Sequence, residues 1–114
     1  MQFEKELLKG VAPVVVLEIL SRGKMYGYEL SEALEQRSEG ILTLGRGTLY
    51  PLLYNLEAKG LVAAEWDDSE SKRKRRYYSI TSKGKGELAA KKEQWMSLQQ
   101  GVNLVFGLGG VAMA

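Results

Sequence analysis

The sequence predicts a mainly α-helical domain that contains one small β-hairpin. Apolar residues recur at helical spacing before residue 60, alternate with a period of two between residues 61 and 80, and return to helical spacing afterwards. The length of 114 residues and the hydrophobic content of 45% are typical of one globular domain. We therefore expect three helices, a hairpin and a final helix, in that order.

The first helix is predicted to cover roughly residues 12–21. Apolar residues fill most of positions 14–20, and a Ser-Arg-Gly sequence at 21–23 ends the run. Pro13 lacks an N–H and fits the first turn of a helix better than its interior. A separate short helix or turn is therefore expected before Pro13.

The second helix is predicted to extend to about Arg37, because Leu30, Ala33 and Leu34 share one face of the segment that follows Tyr26. Residues 38–45 contain two glycines and are expected to form a connection. Three apolar residues of this connection are expected to be buried anchors: Ile41, Leu42 and Leu44.

The third helix is predicted at about residues 47–59, followed by a glycine stop at Gly60. Pro51 is expected near its start, which would place the first turn close to Thr48. The apolar stripe of this helix has i, i+3, i+4, i+7 spacing and consists of Leu49, Leu52, Leu53 and Leu56.

The β-prone segments 61–66 and 76–80 flank a charged loop and predict a hairpin. Thr81 then offers a capping hydroxyl to a last helix that is expected to end between Val105 and Gly107. Its apolar positions follow the spacing of a helix–helix seam, with Lys91 as a polar exception: Leu88, Trp95, Leu98, Val102 and Val105.

Charge is distributed unevenly along the chain. Residues 1–71 contain 7 basic and 12 acidic side chains, whereas residues 72–114 contain 9 basic and 2 acidic ones. The densest basic segment is the run 72–76, which suits phosphate contacts and equally suits a solvated hairpin tip.

Several function classes are excluded by composition. The chain has no cysteine and no histidine, so disulfides, Cys or His metal sites, thiol nucleophiles and histidine bases are absent. The adjacent Asp67 and Asp68 are interpreted as part of a solvated loop rather than a cation site. No apolar stretch reaches membrane-spanning length and no secretory signal is visible. We expect a cytoplasmic protein that is not an enzyme and uses no cofactor or metal.

Three helices followed by a hairpin are typical of a winged helix-turn-helix, in which the third helix enters the major groove and the hairpin, or wing, contacts the flanking backbone or minor groove. Four motifs in this order resemble the PadR family of bacterial transcriptional regulators, in its compact branch with a single carboxy-terminal helix. They are YGYEL at 26–30, GTLYPLL at 47–53, LEAKGLV at 56–62 and RYYSITSKG at 76–84.

This resemblance implies a homodimeric repressor that binds pseudo-palindromic double-stranded DNA and is relieved by a small aromatic or drug-like effector. It divides the chain into a winged helix-turn-helix domain at 1–81 and a dimerisation helix with an apolar tail at 82–114. A protein-interaction module and a ligand sensor, both with little DNA affinity, are the alternatives.

The DNA-contacting residues are expected on the third helix, at the start of the second helix and on the wing. One of Tyr26 and Tyr28 is expected to contact the DNA backbone at the start of the second helix and the other to pack in the core. Tyr28 is the favoured core residue, and the assignment stays open. On the third helix, the alternative is that Thr48 only caps and one tyrosine packs under the wing. The predicted set is Lys24, Tyr26, Arg46, Thr48, Tyr50, Pro51, Tyr54, Asn55, Lys72, Arg73, Lys74 and Arg75.

The dimer and effector surface is expected on the terminal helices. Trp95 is interpreted as a residue of the dimer seam or as a stacking platform for a flat aromatic effector, and the two roles are compatible. The predicted set is Phe3, Leu7, Leu88, Trp95, Met96, Leu98 and Val102.

Overall fold

The computed structural model describes residues 2–67 and 74–108 of the chain. The order of helices, hairpin and final helix is confirmed, and a short additional strand lies before the second helix. The elements are α1 (Lys5–Leu20), β1 (Met25–Tyr26), α2 (Gly27–Arg37), α3 (Arg46–Ala58), β2 (Val62–Asp67), β3 (Arg75–Ile80) and α4 (Ser82–Phe106).

The core forms where the apolar faces of α1, α2 and α3 meet one side of the sheet and the start of α4. No charged side chain is buried among the described residues. The buried set is Ala12, Val16, Leu17, Ile19, Leu20, Leu30, Leu34, Leu44, Leu49, Leu53, Leu56, Leu61, Val62, Tyr78 and Leu88. The core thus holds α3 by its leucine face and leaves the opposite face open.

Helix α1 begins at Lys5, well before the predicted start, and the expected break at Pro13 is wrong. Pro13 lacks the N–H that would pair with the carbonyl of Lys9, and its ring crowds that carbonyl, yet the turns on both sides remain helical. Burial of Ala12 and Val16 on the same face as Leu20 favours one continuous helix.

Helix α3 likewise contains its proline further inside than expected, because Pro51 is its sixth residue and Arg46 is its first. The first helical hydrogen bond is donated by the Leu49 N–H to the Gly45 carbonyl, at 2.9 Å. Arg46 therefore lies in the first turn of the helix rather than before it.

The connection between α2 and α3 is anchored by two serines. The Ser31 hydroxyl donates to the Leu44 carbonyl at 3.0 Å, and the Ser38 hydroxyl accepts from the Leu42 N–H at 2.9 Å. Leu44 is buried and Leu42 half-buried, as predicted, but Ile41 is exposed and is not an anchor.

The sheet has three antiparallel strands in the order β1-β3-β2, and β1 was missed because two residues are too few to show a periodicity. Trp66 lies opposite Arg76 and Ala64 opposite Tyr78, so these four side chains share one face. Tyr78 is 1% exposed, which identifies this face as the one that packs on the core. Successive residues alternate between faces, so Arg75 lies on the outer face.

Helix α4 is capped as predicted. The Thr81 hydroxyl accepts from the Gly84 N–H at 3.0 Å and donates to the Gly60 carbonyl at 2.7 Å, which joins the start of α4 to the end of α3. The helix ends at Phe106, and Gly107 adopts a left-handed conformation (φ 81°) that closes it.

Beyond its first turns, α4 leaves the rest of the molecule. The Lys92 ammonium donates to the Glu18 carboxylate at 2.7 Å, and from that point to residue 106 only Asn103 is even half-buried. The described chain accordingly measures 58 Å along its longest axis and 30 and 22 Å across. The second half of α4, residues 93–106, therefore extends away from the core, and we call this part of the helix the arm.

Candidate nucleic-acid interface

Helix α3 presents three faces, each with its own surroundings. The leucine face is buried, and the Tyr50–Tyr54–Glu57 side faces α2 and the sheet. Five of the predicted DNA-contacting residues are exposed on this helix: Arg46, Thr48, Pro51, Tyr54 and Asn55.

Tyr50 differs from the others, because it is half-buried against the start of α2. A Cβ added to Gly27 would contact the Tyr50 hydroxyl and lie 2.7 Å from its Cζ, so the ring occupies the space that glycine leaves. The Tyr50 and Tyr54 rings lie 6.3 Å apart. Tyr50 thus sets the packing of α3 on α2.

The amino terminus of α2 is partly occupied by the protein itself. The Tyr26 N–H donates to the Glu29 carboxylate at 3.2 Å, which places a negative charge at the helix end where a phosphate was expected. Tyr28 is 58% exposed, so its expected place in the core is wrong. Tyr26 is the half-buried member of the pair, because β1 places it beside Tyr77 with a ring-centroid distance of 5.5 Å.

The outer face of the wing carries cations that rest on aromatic rings. The Arg75 guanidinium lies 4.6 Å from the Tyr26 ring centroid, and the Lys24 ammonium lies 5.6 Å from that of Tyr77. Lys24 also donates to Glu65 at 3.1 Å, and this hydrogen bond raises the pKa of Lys24 above its usual value. Both cations remain at the surface.

The basic run divides between the two faces of β3. Lys74 and Arg75 are exposed. Arg76 points to the inner face, where it donates to Glu57 at 2.8 Å and to the Tyr78 hydroxyl at 3.3 Å. Burial raises the pKa of Tyr78, so its phenol stays protonated at neutral pH. The predicted contacts Lys72 and Arg73 lie outside the described residues.

A cleft of about 270 Å³ joins α2, α3 and the wing. It brings together five of the sequence-predicted residues, namely Tyr26, Tyr50, Tyr54, Lys74 and Arg75. Arg46 lies outside it at the start of α3, Thr48 and Pro51 border a separate cleft beside α1, and Asn55 faces a third one beside Pro13. The predicted set is therefore divided among separate clefts around α3 rather than gathered in one pocket.

The interface also includes residues that the sequence analysis left out. Gly27 admits the Tyr50 ring, and Trp66, Glu57 and Arg76 lie between α3 and the wing. The alternation of β3 could have revealed Arg76, because it shares a face with the apolar Tyr78 and Ile80.

The predicted dimer and effector residues lie along the two terminal helices. Leu88 is the exception, because it is buried in the core of its own chain and its place in a dimer seam is wrong. Phe3 is half-buried beside α3, and Leu7 is 70% exposed on α1. The arm of α4 exposes Trp95, Met96, Leu98, Val102, Val105 and Phe106, and its shallow cleft of about 530 Å³ is lined mainly by apolar residues.

Within residues 2–67 and 74–108, no cluster of acidic side chains is suited to holding a metal ion. None of the helices in this part of the chain combines the length and the hydropathy that crossing a membrane requires.

Comparison with known proteins identifies relatives of this arrangement. The family described as "Transcriptional regulator PadR-like family" matches residues 16–90. A transcriptional regulator named YqjI from Escherichia coli is 32% identical over 85 residues, which are 75% of this chain and 39% of the E. coli protein. The chain thus spans well under half of that relative.

Solved structures agree with the family match. A transcriptional regulator from Clostridium thermocellum superposes with a TM-score of 0.81 at 26% identity, over 86% of this chain and 95% of that one. A PadR-like transcriptional regulator from Bacillus cereus gives 0.75 at 34% identity, over 89% and 96% of the two chains. These proteins are regulators rather than enzymes, and they share the winged-helix fold.

Proposed function

The chain belongs to the PadR-like family of transcriptional regulators, whose members bind DNA and are generally dimeric, and we propose that it is a homodimeric repressor of transcription. In this proposal α3 enters the major groove of one half-site, and the wing contacts the neighbouring phosphates. We also propose a cytoplasmic location, because a regulator of transcription acts where the DNA is.

The observation that carries this proposal is the common surface of α3 and the wing. Arg46, Tyr54 and Asn55 are exposed on α3, and Lys74 and Arg75 are exposed on the wing beside it. Exposed cations contribute affinity through phosphates, whereas the polar side chains of the helix read base edges. The cleft between these two elements shows that they lie side by side.

The arm of α4 supports the homodimer. At 100° per residue, Trp95, Leu98, Val102, Val105 and Phe106 fall within one stripe, and all are exposed in the single chain. An exposed apolar stripe of this size marks an interaction site. We assign residues 1–81 to the DNA-binding domain and 82–114 to dimerisation, although the turns of α4 around Gly84 and Leu88 pack on the core of that domain.

The two-fold symmetry of such a dimer would place two copies of α3 about one turn of DNA apart, on a pseudo-palindromic operator. A partner seated on the arm fixes that spacing, because α4 is a continuous helix from the core to Phe106. A molecule that binds between the arms therefore changes DNA affinity in proportion to its preference for one spacing.

Arg75 tests the wing contact. Arg75→Ala is expected to weaken operator binding and to reduce the slope of log affinity against log salt concentration by about one, since one phosphate contact is lost. Fluorescence anisotropy at four or more salt concentrations measures both quantities. The matched control is Arg37→Ala, at the opposite end of α2, which should leave the slope unchanged. Equal slopes for both variants and the wild type would exclude the wing contact.

Arg46 tests the recognition role of α3. Arg46→Ala is expected to cost about tenfold in the preference for operator over mixed-sequence DNA, because residues in the first turns of a recognition helix contact base edges. Lys59→Ala is the control, since it removes a cation from the other end of α3. A loss that is the same for operator and mixed-sequence DNA would show that Arg46 contacts phosphate only.

The effector is proposed to be a flat aromatic molecule that stacks on Trp95, which is 43% exposed on the arm. The chain has two tryptophans, so Trp66→Phe leaves Trp95 as the single reporter. Titration with flat aromatic compounds is expected to quench Trp95 fluorescence and to release DNA over the same concentration range. Equal affinity of a Trp95→Ala variant for these compounds, measured by calorimetry, would contradict stacking on Trp95.

A further inference from the structure

Arg76 connects the recognition helix to both strands of the wing. One guanidinium nitrogen donates to Glu57 on α3 at 2.8 Å, and another donates to the Tyr78 hydroxyl on β3 at 3.3 Å. The guanidinium carbon lies 5.9 Å from the ring centroids of both Tyr54 on α3 and Trp66 on β2. Tyr54 and Glu57 are about one turn apart, so Arg76 contacts α3 at two successive turns.

The surroundings of Arg76 differ from those of the other described cations of the basic run. Its side chain is 29% exposed, its partner Glu57 is 33% exposed, and its Nε is buried without a hydrogen-bond partner in the described part of the chain. Solvent screens such a pair less than it screens the exposed pair of Lys24 and Glu65. The donors of Arg76 are directed at α3 and Tyr78 and not outwards.

The position of Arg76 along the hairpin explains how its contacts bear on the angle between the wing and α3. Within the described part of the hairpin, burial along the inner face decreases from Val62 through Ala64 to Trp66. Arg76 lies opposite Trp66, at the point where the hairpin leaves the core and passes Tyr54. A charge-assisted hydrogen bond at this point resists movement of the wing away from α3.

We propose that Arg76 is a positioning residue that clasps the wing to the recognition helix through Glu57 and fixes the angle at which the two elements meet DNA. The proposal rests on the DNA-binding function proposed above. Under this proposal Glu57 increases DNA affinity, although it is an acidic residue at a surface proposed to bind a polyanion. It also assigns the orientation of Tyr54 to the guanidinium that lies over its ring.

The sign of the effect of Glu57→Ala separates this role from simple electrostatics. Removal of a negative charge near DNA should by itself strengthen binding. The clasp, meaning the contact between Arg76 and Glu57, predicts instead that operator affinity falls about tenfold, which corresponds to the loss of one charge-assisted hydrogen bond. The slope of log affinity against log salt concentration should not change. Glu32→Ala on the exposed side of α2 is the matched control and should not weaken binding.

A second experiment uses Arg76→Lys, because lysine keeps the positive charge but lacks the planar guanidinium group. The clasp predicts that Arg76→Lys weakens binding about as much as Glu57→Ala, and that the double variant is no weaker than either single one. A direct phosphate contact predicts near-normal binding by Arg76→Lys. Glu57→Gln keeps one acceptor and should recover part of the loss, and circular dichroism of each variant monitors folding.

Amide hydrogen exchange in the free protein tests the clasp without DNA. Glu57→Ala is expected to accelerate exchange in β2 and β3 near Trp66 and Arg75 and to leave α1 unchanged. Unchanged exchange in the hairpin, or operator affinity of Glu57→Ala equal to or above that of the wild type, would overturn the clasp. Absence of operator binding by the wild type would instead overturn the DNA-binding proposal, while the exchange measurement would still decide the clasp.

Discussion

Substitution of both Leu98 and Val102 by glutamate is expected to convert the protein to a monomer and to abolish operator binding at physiological salt. Both side chains are exposed on the apolar stripe of the arm. A carboxylate forced into an apolar interface without a partner costs several kcal/mol, so four of them in a two-fold interface exceed what a dimer of this size tolerates.

Loss of the dimer removes binding to the second half-site. In the proposed dimer, the DNA-binding domain of the second protomer is held near its half-site at high effective concentration, and this advantage disappears in the monomer. Light scattering measures the mass, and anisotropy with the operator fragment measures the affinity. The control is Ala89→Glu with Gln100→Glu, which adds the same charge on the opposite side of α4. A variant with glutamate at 98 and 102 that remains dimeric would show that the arm is not the interface.

Substitution of Gly84 by alanine is expected to destabilise the fold by about 1–3 kcal/mol, although alanine favours helices. Gly84 is buried in the first turn of α4, and a Cβ there would contact the Leu61 carbonyl oxygen and lie 2.7 Å from Ile80 Cγ1. The carbonyl belongs to the backbone immediately before β2 and accepts a hydrogen bond from the Thr81 N–H at 3.1 Å, so it cannot move freely.

Gly86 provides the control in the same helix. A Cβ at Gly86 has no neighbour within 4 Å, so Gly86→Ala is expected to stabilise the protein by about 0.5–1 kcal/mol through helix propensity alone. Chemical denaturation of both variants measures the two changes in the free energy of unfolding. Equal stabilisation by both substitutions would show that α4 does not approach Leu61 closely.

The sequence predicted the elements whose signals are local. The leucine stripe of α3, the alternation of the hairpin, the Thr81 cap and the Gly107 stop each depend on spacing or on one residue type, and each is confirmed. Prolines were less informative, because Pro13 and Pro51 each remove a single hydrogen bond from a helix that core packing supports on both sides.

The sequence did not predict which side chains contact one another in the folded structure. Leu88 has the spacing of the arm residues, but the close approach at Gly84 places it in the core. Tyr26 and Tyr28 are indistinguishable by type, and it is the pairing of β1 with β3 that places one beside Tyr77 and leaves the other exposed. A run of cations likewise does not show that Arg76 faces inward, which depends on strand register.

We propose that this PadR-like protein binds a specific DNA site with α3 and the wing of a homodimer. The experiment that tests this binding is the fluorescence anisotropy of a labelled fragment from upstream of the protein's own gene, titrated at several salt concentrations with mixed-sequence DNA as competitor. We expect tight binding that resists the competitor and a log affinity that falls linearly with log salt concentration. Absence of binding even at low salt would contradict the claim and would favour a protein partner for the same surface.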